Sequence, residues 1–257
     1  MFNAAHAPDD APQSGDQPAS HGSDPRNLRV NDMPADALTI NIEGREIHSP
    51  REGFGRLWHK VYQLRFDEPG PDPAFAMREW RAHFSEFWPP GNDMYTPLIG
   101  IQPGEVTAIN LGLPGVVALS TGMYVADVTE RSFTLLTAEG HLLAGSITFS
   151  ALKDGDDHTI LQIDVLMRGG DPLYELGLIL SGQRQEDRFW AYTLHRLAEH
   201  FGSHGRIRGR RTCLDRKRQW RYAGNVRQNA LIRTTLYNAT APLRRLISRV
   251  VPARKET

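Results

Sequence analysis

The sequence predicts an α+β fold: a curled antiparallel sheet closing on one long C-terminal helix, with a basic, partly helical tail beyond it. Two observations carry this. From Val116 to Phe201 a run of alternating strand patterns joined by short turns leads into a single long amphipathic helix. The charge is also segregated: residues 206–257 hold thirteen Arg and two Lys against Asp215 and Glu256, a net +13, whereas residues 1–205 carry −13, so the formal charge of +0 is a sum of two unlike parts. A sheet of this kind curled onto a helix encloses space for an apolar small molecule.

Met1 to about Ala37 is rich in Pro, Asp, Ser, Gly and Ala and poor in large apolar residues, so it reads as a disordered leader, with the folded body spanning 38–204 and the tail 205–257. Leu38, Ile40 and Ile42 alternate with polar residues and predict a strand ending near Gly44. Ser49, Pro50, Arg51 and Glu52 have the pattern of a capping box with proline at the first helical position. Phe54, Leu57, Trp58, Val61 and Leu64 then follow at helical spacing, which predicts a helix to about Arg65. Asp72 and Pro73 open a second helix carrying Met77, Trp80, Phe84 and Phe87 on one stripe, stopped by Pro89, Pro90 and Gly91.

Strand patterns occupy Val106–Leu111, Val117–Val125, Ser132–Thr137, Leu142–Leu152 and Thr159–Arg168. The links at Glu130–Arg131, Glu139–Gly140 and Asp154–Gly155–Asp156 are short enough to force antiparallel neighbours. Asp171 and Pro172 begin a helical stretch that Gly177 and Gly182 loosen, and the firm helix runs from about Gln183 to His200 with Trp190, Leu194, Leu197 and Phe201 on its apolar arc. Gly202 terminates it. The tail opens with a Gly- and Arg-rich run, regains helical spacing near Val226, and after Pro242 has a Leu243–Val250 apolar stripe flanked by arginines.

The order strand, two helices, antiparallel run, terminal helix resembles the helix-grip fold of the START-like and polyketide-cyclase superfamily (SRPBCC), over roughly Leu38 to Gly202. Within it Gly140, His141, Gly145 and Phe149 match the Gly-His strand segment of an uncharacterised plant and bacterial family related to that superfamily, with Leu142 and Leu143 in place of its Pro-Glu pair and Ser146 in place of an acidic residue. The resemblance implies the fold and a hydrophobic small molecule or lipid as ligand, and it transfers no catalytic residue.

The expected ligand contacts are Trp58, Trp80, Trp88, Phe149 and Trp190, whose aromatic bodies supply area and, for tryptophan, an orienting N–H. For an enzyme of the cyclase or hydratase type using the same cavity, His141 with Glu139 or Asp164 would be the acid and base. Arg208, Arg210, Arg211, Arg218, Arg244, Arg245 and Arg249 are the expected contacts of an anionic partner, membrane surface first and nucleic acid second. No metal or cofactor is expected: Cys213 is the only cysteine, His195, His200 and His204 lack ligand spacing, and phosphate-cradling, dinucleotide and nucleophile-elbow motifs are missing from the sequence. With no export signal or spanning run of about 20 apolar residues, the expected location is cytoplasmic, peripheral at the membrane through the tail.

Overall fold

The computed structural model describes residues 23–30, 33, 37–112 and 119–241. One antiparallel sheet of eight strands organises them: β1 (Leu57–Phe66), β2 (Asp93–Tyr95), β3 (Val106–Leu111), β4 (Leu119–Val128), β5 (Ser132–Thr137), β6 (Leu143–Lys153), β7 (Thr159–Gly169) and β8 (Gly205–Asp215), in the order β2-β3-β4-β5-β6-β7-β1-β8. Two helices lie over one face. Helix α1 (Pro73–Ala82) starts where the Asp72 carboxylate accepts from the amides of Ala74 and Phe75, and continues as a short 3-10 turn at Phe84–Phe87. The second cover is nearly continuous: α2 (Pro172–Gly177), a π-helical segment at Leu178–Gly182, and α3 (Gln183–His200). Helix α4 (Ala230–Ala239) packs beside β4. This is the predicted helix-grip architecture.

The helix expected over Phe54–Arg65 is instead β1. Its inward positions are Lys60, Tyr62, Leu64 and Phe66, a period of two that the lysine disguises. The capping box is made, since Glu52 Oε2 accepts from the Ser49 amide at 2.8 Å and its hydroxyl at 2.7 Å, but it closes a single turn. Leu38–Ile42 is likewise a turn rather than a strand, anchored by side chains: Asn41 Nδ2 donates to the Ser120 carbonyl and to Thr234 Oγ1, and Ile42 fills the space over Gly122.

The described part of the expected leader is packed too. Leu28 is fully buried with Ile42, Val106, Ala108 and Ala138 on the far face of the sheet, and its amide donates to the Arg45 carbonyl at 2.6 Å. The segment from Gly205 to Asp215, expected as the start of the tail, is instead the edge strand β8. It pairs along β1 so that Ile207, Gly209 and Arg211 stand opposite Leu64, Tyr62 and Lys60. Arg206, Arg208 and Arg210 therefore project together from the outer face. Val117, the first residues of the chain and everything from Pro242 on, including Arg244, Arg245 and Arg249, lie outside the described residues.

The core fills the groove between sheet and helices. Trp80 and Met77 of α1, Leu194 and Leu197 of α3, and Phe66, Phe133, Phe149 and Leu161 of the strands are all buried in it. Gly202, at φ +60°, ends α3 as expected and turns the chain toward β8.

Candidate functional site

The groove is not filled along its whole length. A cavity of about 590 Å³ lies between the sheet and the α2–α3 run. Its floor is Ile109, Met123, Leu135, Ile147, Phe149, Val165 and Met167 from β3 to β7; its roof is Leu178, Phe189 and Trp190; Phe84 and Trp88 close one side. The roof is thin because Gly177 and Gly182 present no side chains where the helix takes its π turn.

Of the expected ligand contacts, Trp88, Phe149 and Trp190 line this space. Trp80 does not: it is fully buried behind Phe149, edge-on at 5.3 Å between ring centroids. Trp58 stands on β1 between Met167 and Cys213 and packs against the core rather than the cavity.

The expected acid–base set is dispersed. His141 lines the cavity, but Asp164 projects from the opposite face of the sheet, where both its oxygens lie 3.0 Å from His59 Nε2. Glu139 pairs with Arg45 at 2.9 Å. Alternation explains Asp164: its neighbours Ile163 and Val165 face inward, so it cannot. Of the arginines, Arg208 and Arg210 are exposed on β8, while Arg211 reaches Asp187 at 3.6 Å and Arg218 reaches Glu175 at 3.4 Å, so these last two are matched internally.

His141 follows Gly140, whose φ of +85° makes the β5–β6 turn and whose missing side chain admits the Gln228 carbonyl, 2.1 Å from where a Cβ would stand. Burial pushes the His141 imidazole down to about 4, so it is neutral near pH 7. Tyr174 of α2 and Asn229, the N-cap of α4, complete a polar corner around it. The Tyr174 hydroxyl accepts from the Leu231 amide at 3.0 Å, and burial raises its pKa. Asn229 is spent on structure, donating to Asp171 Oδ2 at 2.6 Å and accepting from the Ile232 amide.

A second polar cluster clamps the roof to the sheet. Lys60 is fully buried and donates to Glu186 Oε2 at 2.7 Å and to Asp187 Oδ1 at 3.3 Å, which also accepts from the Tyr62 hydroxyl at 2.7 Å. Burial raises the Glu186 pKa, with Lys60 pulling it back down. Periodicity could not have found Tyr174, Asn229, Lys60 or Glu186 as site residues, although a lysine inside an otherwise apolar alternation was a legible sign of a buried partner.

Glu46, His48 and Glu139 bring ligand-type atoms within 4.8 Å of one another, but Glu139 already holds the Arg45 guanidinium. Among the described residues no helix is long and apolar enough to cross a membrane.

No family model matches the chain, and no curated protein matches it. Solved structures similar to it include a conserved protein from Geobacillus kaustophilus (14% identity, 58% of this chain and 98% of that one, TM-score 0.40). Others are the di-domain ARO/CYC StfQ from the steffimycin biosynthetic pathway (13%, 59% and 51%, TM-score 0.39) and major latex-like protein 151 from Panax ginseng (15%, 57% and 99%, TM-score 0.33). Likenesses this distant carry no argument about ligand or activity, so the functional reading rests on the cavity.

Proposed function

We propose that this chain binds an apolar small molecule or lipid in the cavity between the sheet and the α2–α3 helix. The observation that carries the reading is the cavity itself: about 590 Å³, walled largely by apolar and aromatic side chains. Interiors pack densely, and a void of this size held open by the fold forfeits dispersion contacts that a ligand restores. What supports binding over a cyclase or hydratase activity is the engagement of Glu139 and Asp164 elsewhere, which leaves neither of the expected carboxylates beside His141.

Native mass spectrometry of the purified protein, followed by denaturation and identification of released compounds, tests this directly. A copurifying apolar compound is the expected result. Titration with 2-isopropenylnaphthalene, read through the fluorescence of Trp190 and Trp88 in the cavity wall, is the companion measurement; a clean apo mass together with no binding of this probe overturns the reading.

A second reading concerns the outer face of β8, where Arg208 and Arg210 project into solvent beside Arg206, an exposed side chain that also reaches Asp67 at 3.7 Å. Such a stripe supports contact with an anionic surface. Binding to phosphatidylserine-containing vesicles that weakens with salt and is lost in the triple Arg→Ser variant is expected; unchanged binding in that variant rejects it.

A further inference from the structure

The polar corner of the cavity has a direction. The backbone amide of Leu143 lies 2.9 Å from His141 Nδ1 and donates to it. The Leu143 carbonyl also lies 3.0 Å from this nitrogen and would accept from an Nδ1–H; because the Leu143 amide always carries its proton, Nδ1 is assigned as the acceptor of the neutral ring. The proton of the neutral imidazole then sits on Nε2. Among the described residues His141 makes its hydrogen bonds through Nδ1 alone, and the ring is buried against the cavity.

Tyr174 presents the same kind of group. Its oxygen accepts from the Leu231 amide, which leaves the hydroxyl proton to donate. The first turn of α4 ties both segments together: the Ala230 amide donates to the carbonyl of Gly140, the residue before His141, and the next amide, Leu231, donates to Tyr174. The other polar atoms of the corner are satisfied within the protein. Thr137 Oγ1 accepts from the Gly145 amide and donates to the His48 carbonyl, and Asn229 is bonded at both ends.

What remains in this corner is two neutral donors, with no cation beside them among the described residues; the unpartnered Oε1 of Glu186, also in the cavity lining, belongs to the separate cluster around Lys60. We infer that this corner is a subsite for a carbonyl oxygen, and that the ligand class is a neutral apolar molecule bearing a ketone-type acceptor, seated with that oxygen against His141 Nε2 and the Tyr174 hydroxyl. A hydrocarbon leaves both buried donors unpaired, and a carboxylate finds no countercharge. This inference rests on the reading of the cavity as an apolar ligand site. The low pKa of His141 agrees with it, since the ring stays a neutral donor across the physiological range.

The test uses two probes of nearly the same shape, 2-acetonaphthone and 2-isopropenylnaphthalene, which differ by a carbonyl oxygen in place of a methylene. The full-length protein is expected to bind the ketone about tenfold more tightly. His141→Asn keeps an acceptor for the Leu143 amide and removes the distal N–H, and Tyr174→Phe removes the hydroxyl. Each should lower ketone affinity several-fold, on the order of the loss of one neutral hydrogen bond, and leave hydrocarbon affinity within about twofold. The infrared carbonyl stretch of bound 2-acetonaphthone gives a readout independent of either variant's folding, and should fall below its value in hexane. Equal affinity for the two probes, or an unshifted stretch, overturns the subsite while the cavity reading stands. Failure of both probes to bind overturns the cavity reading and the subsite with it.

Discussion

The groove between the sheet and the long helix is solid at one end and hollow at the other, although both ends share the same strands. At the solid end Trp80 and Met77 of α1 drop onto Phe66, Phe149 and Leu161, and Leu194 and Leu197 of α3 close over them. At the hollow end α1 has stopped, since Pro89, Pro90 and Gly91 follow the Phe84–Phe87 turn, and the helix above has glycines at 177 and 182. The contrast teaches that the strands do not decide where the cavity lies. The side chains that α1 lays on the strands decide it, by filling one end and stopping short of the other.

The sharpest break in this comparison is truncation at the solid end. Trp80→Ala should destabilise the protein by about 4 kcal/mol, the loss of a fully buried indole plus its residual cavity, whereas Trp190→Ala, a partly exposed side chain beside existing space, should cost less than half as much. Chemical denaturation of the two variants against wild type measures both.

Acid should act on the hollow end first. The folded-state pKa of His141 is depressed from 6.5 to about 4, so between those values the unfolded chain takes up a proton that the native state refuses, and stability falls as the pH is lowered. The full effect is about 3 kcal/mol at 1.36 kcal/mol per pKa unit. Glu186 opposes it, because a carboxyl whose pKa is raised in the folded state gains stability on protonation. Denaturation midpoints from pH 7 to pH 4 should therefore flatten in His141→Asn and steepen in Glu186→Gln.

Filling the void sharpens the same contrast with a smaller effect on stability. Ile147→Trp, on the cavity floor, should leave stability within about 1 kcal/mol of wild type, because the new ring enters existing space, while lowering 2-isopropenylnaphthalene affinity at least tenfold. The least effect belongs to the outer face of β8. The triple change of Arg206, Arg208 and Arg210 to Ser should shift stability by no more than about 0.5 kcal/mol and leave probe affinity unaltered, since these side chains face away from the groove.

Much of the architecture was legible from local pattern. Helix α1 announced itself through Asp72, Pro73 and an apolar stripe, and β5 to β7 through alternation broken by turn residues, because each of those signals is satisfied within a few residues of itself. His141, Trp88, Phe149 and Trp190 could be chosen as cavity residues on the same basis, from their type and their neighbours. Trp58 and Trp80 carried identical local signals and belong to the solid core, a distinction no spacing contains.

The sequence by itself therefore determined the order of the hairpins, the long closing helix and an α+β groove, since backbone periodicity and turn chemistry are properties of adjacent residues. The tertiary structure alone decided that β1 is a strand and that Gly205–Asp215 joins the sheet. Lys60 can face inward only because Glu186, 126 residues away, neutralises it, and an arginine-rich run is an edge strand only once β1 offers a ladder to pair with. It also decided that neither Glu139 nor Asp164 stands with His141: contacts between distant segments set those positions, and they have no signature in local sequence.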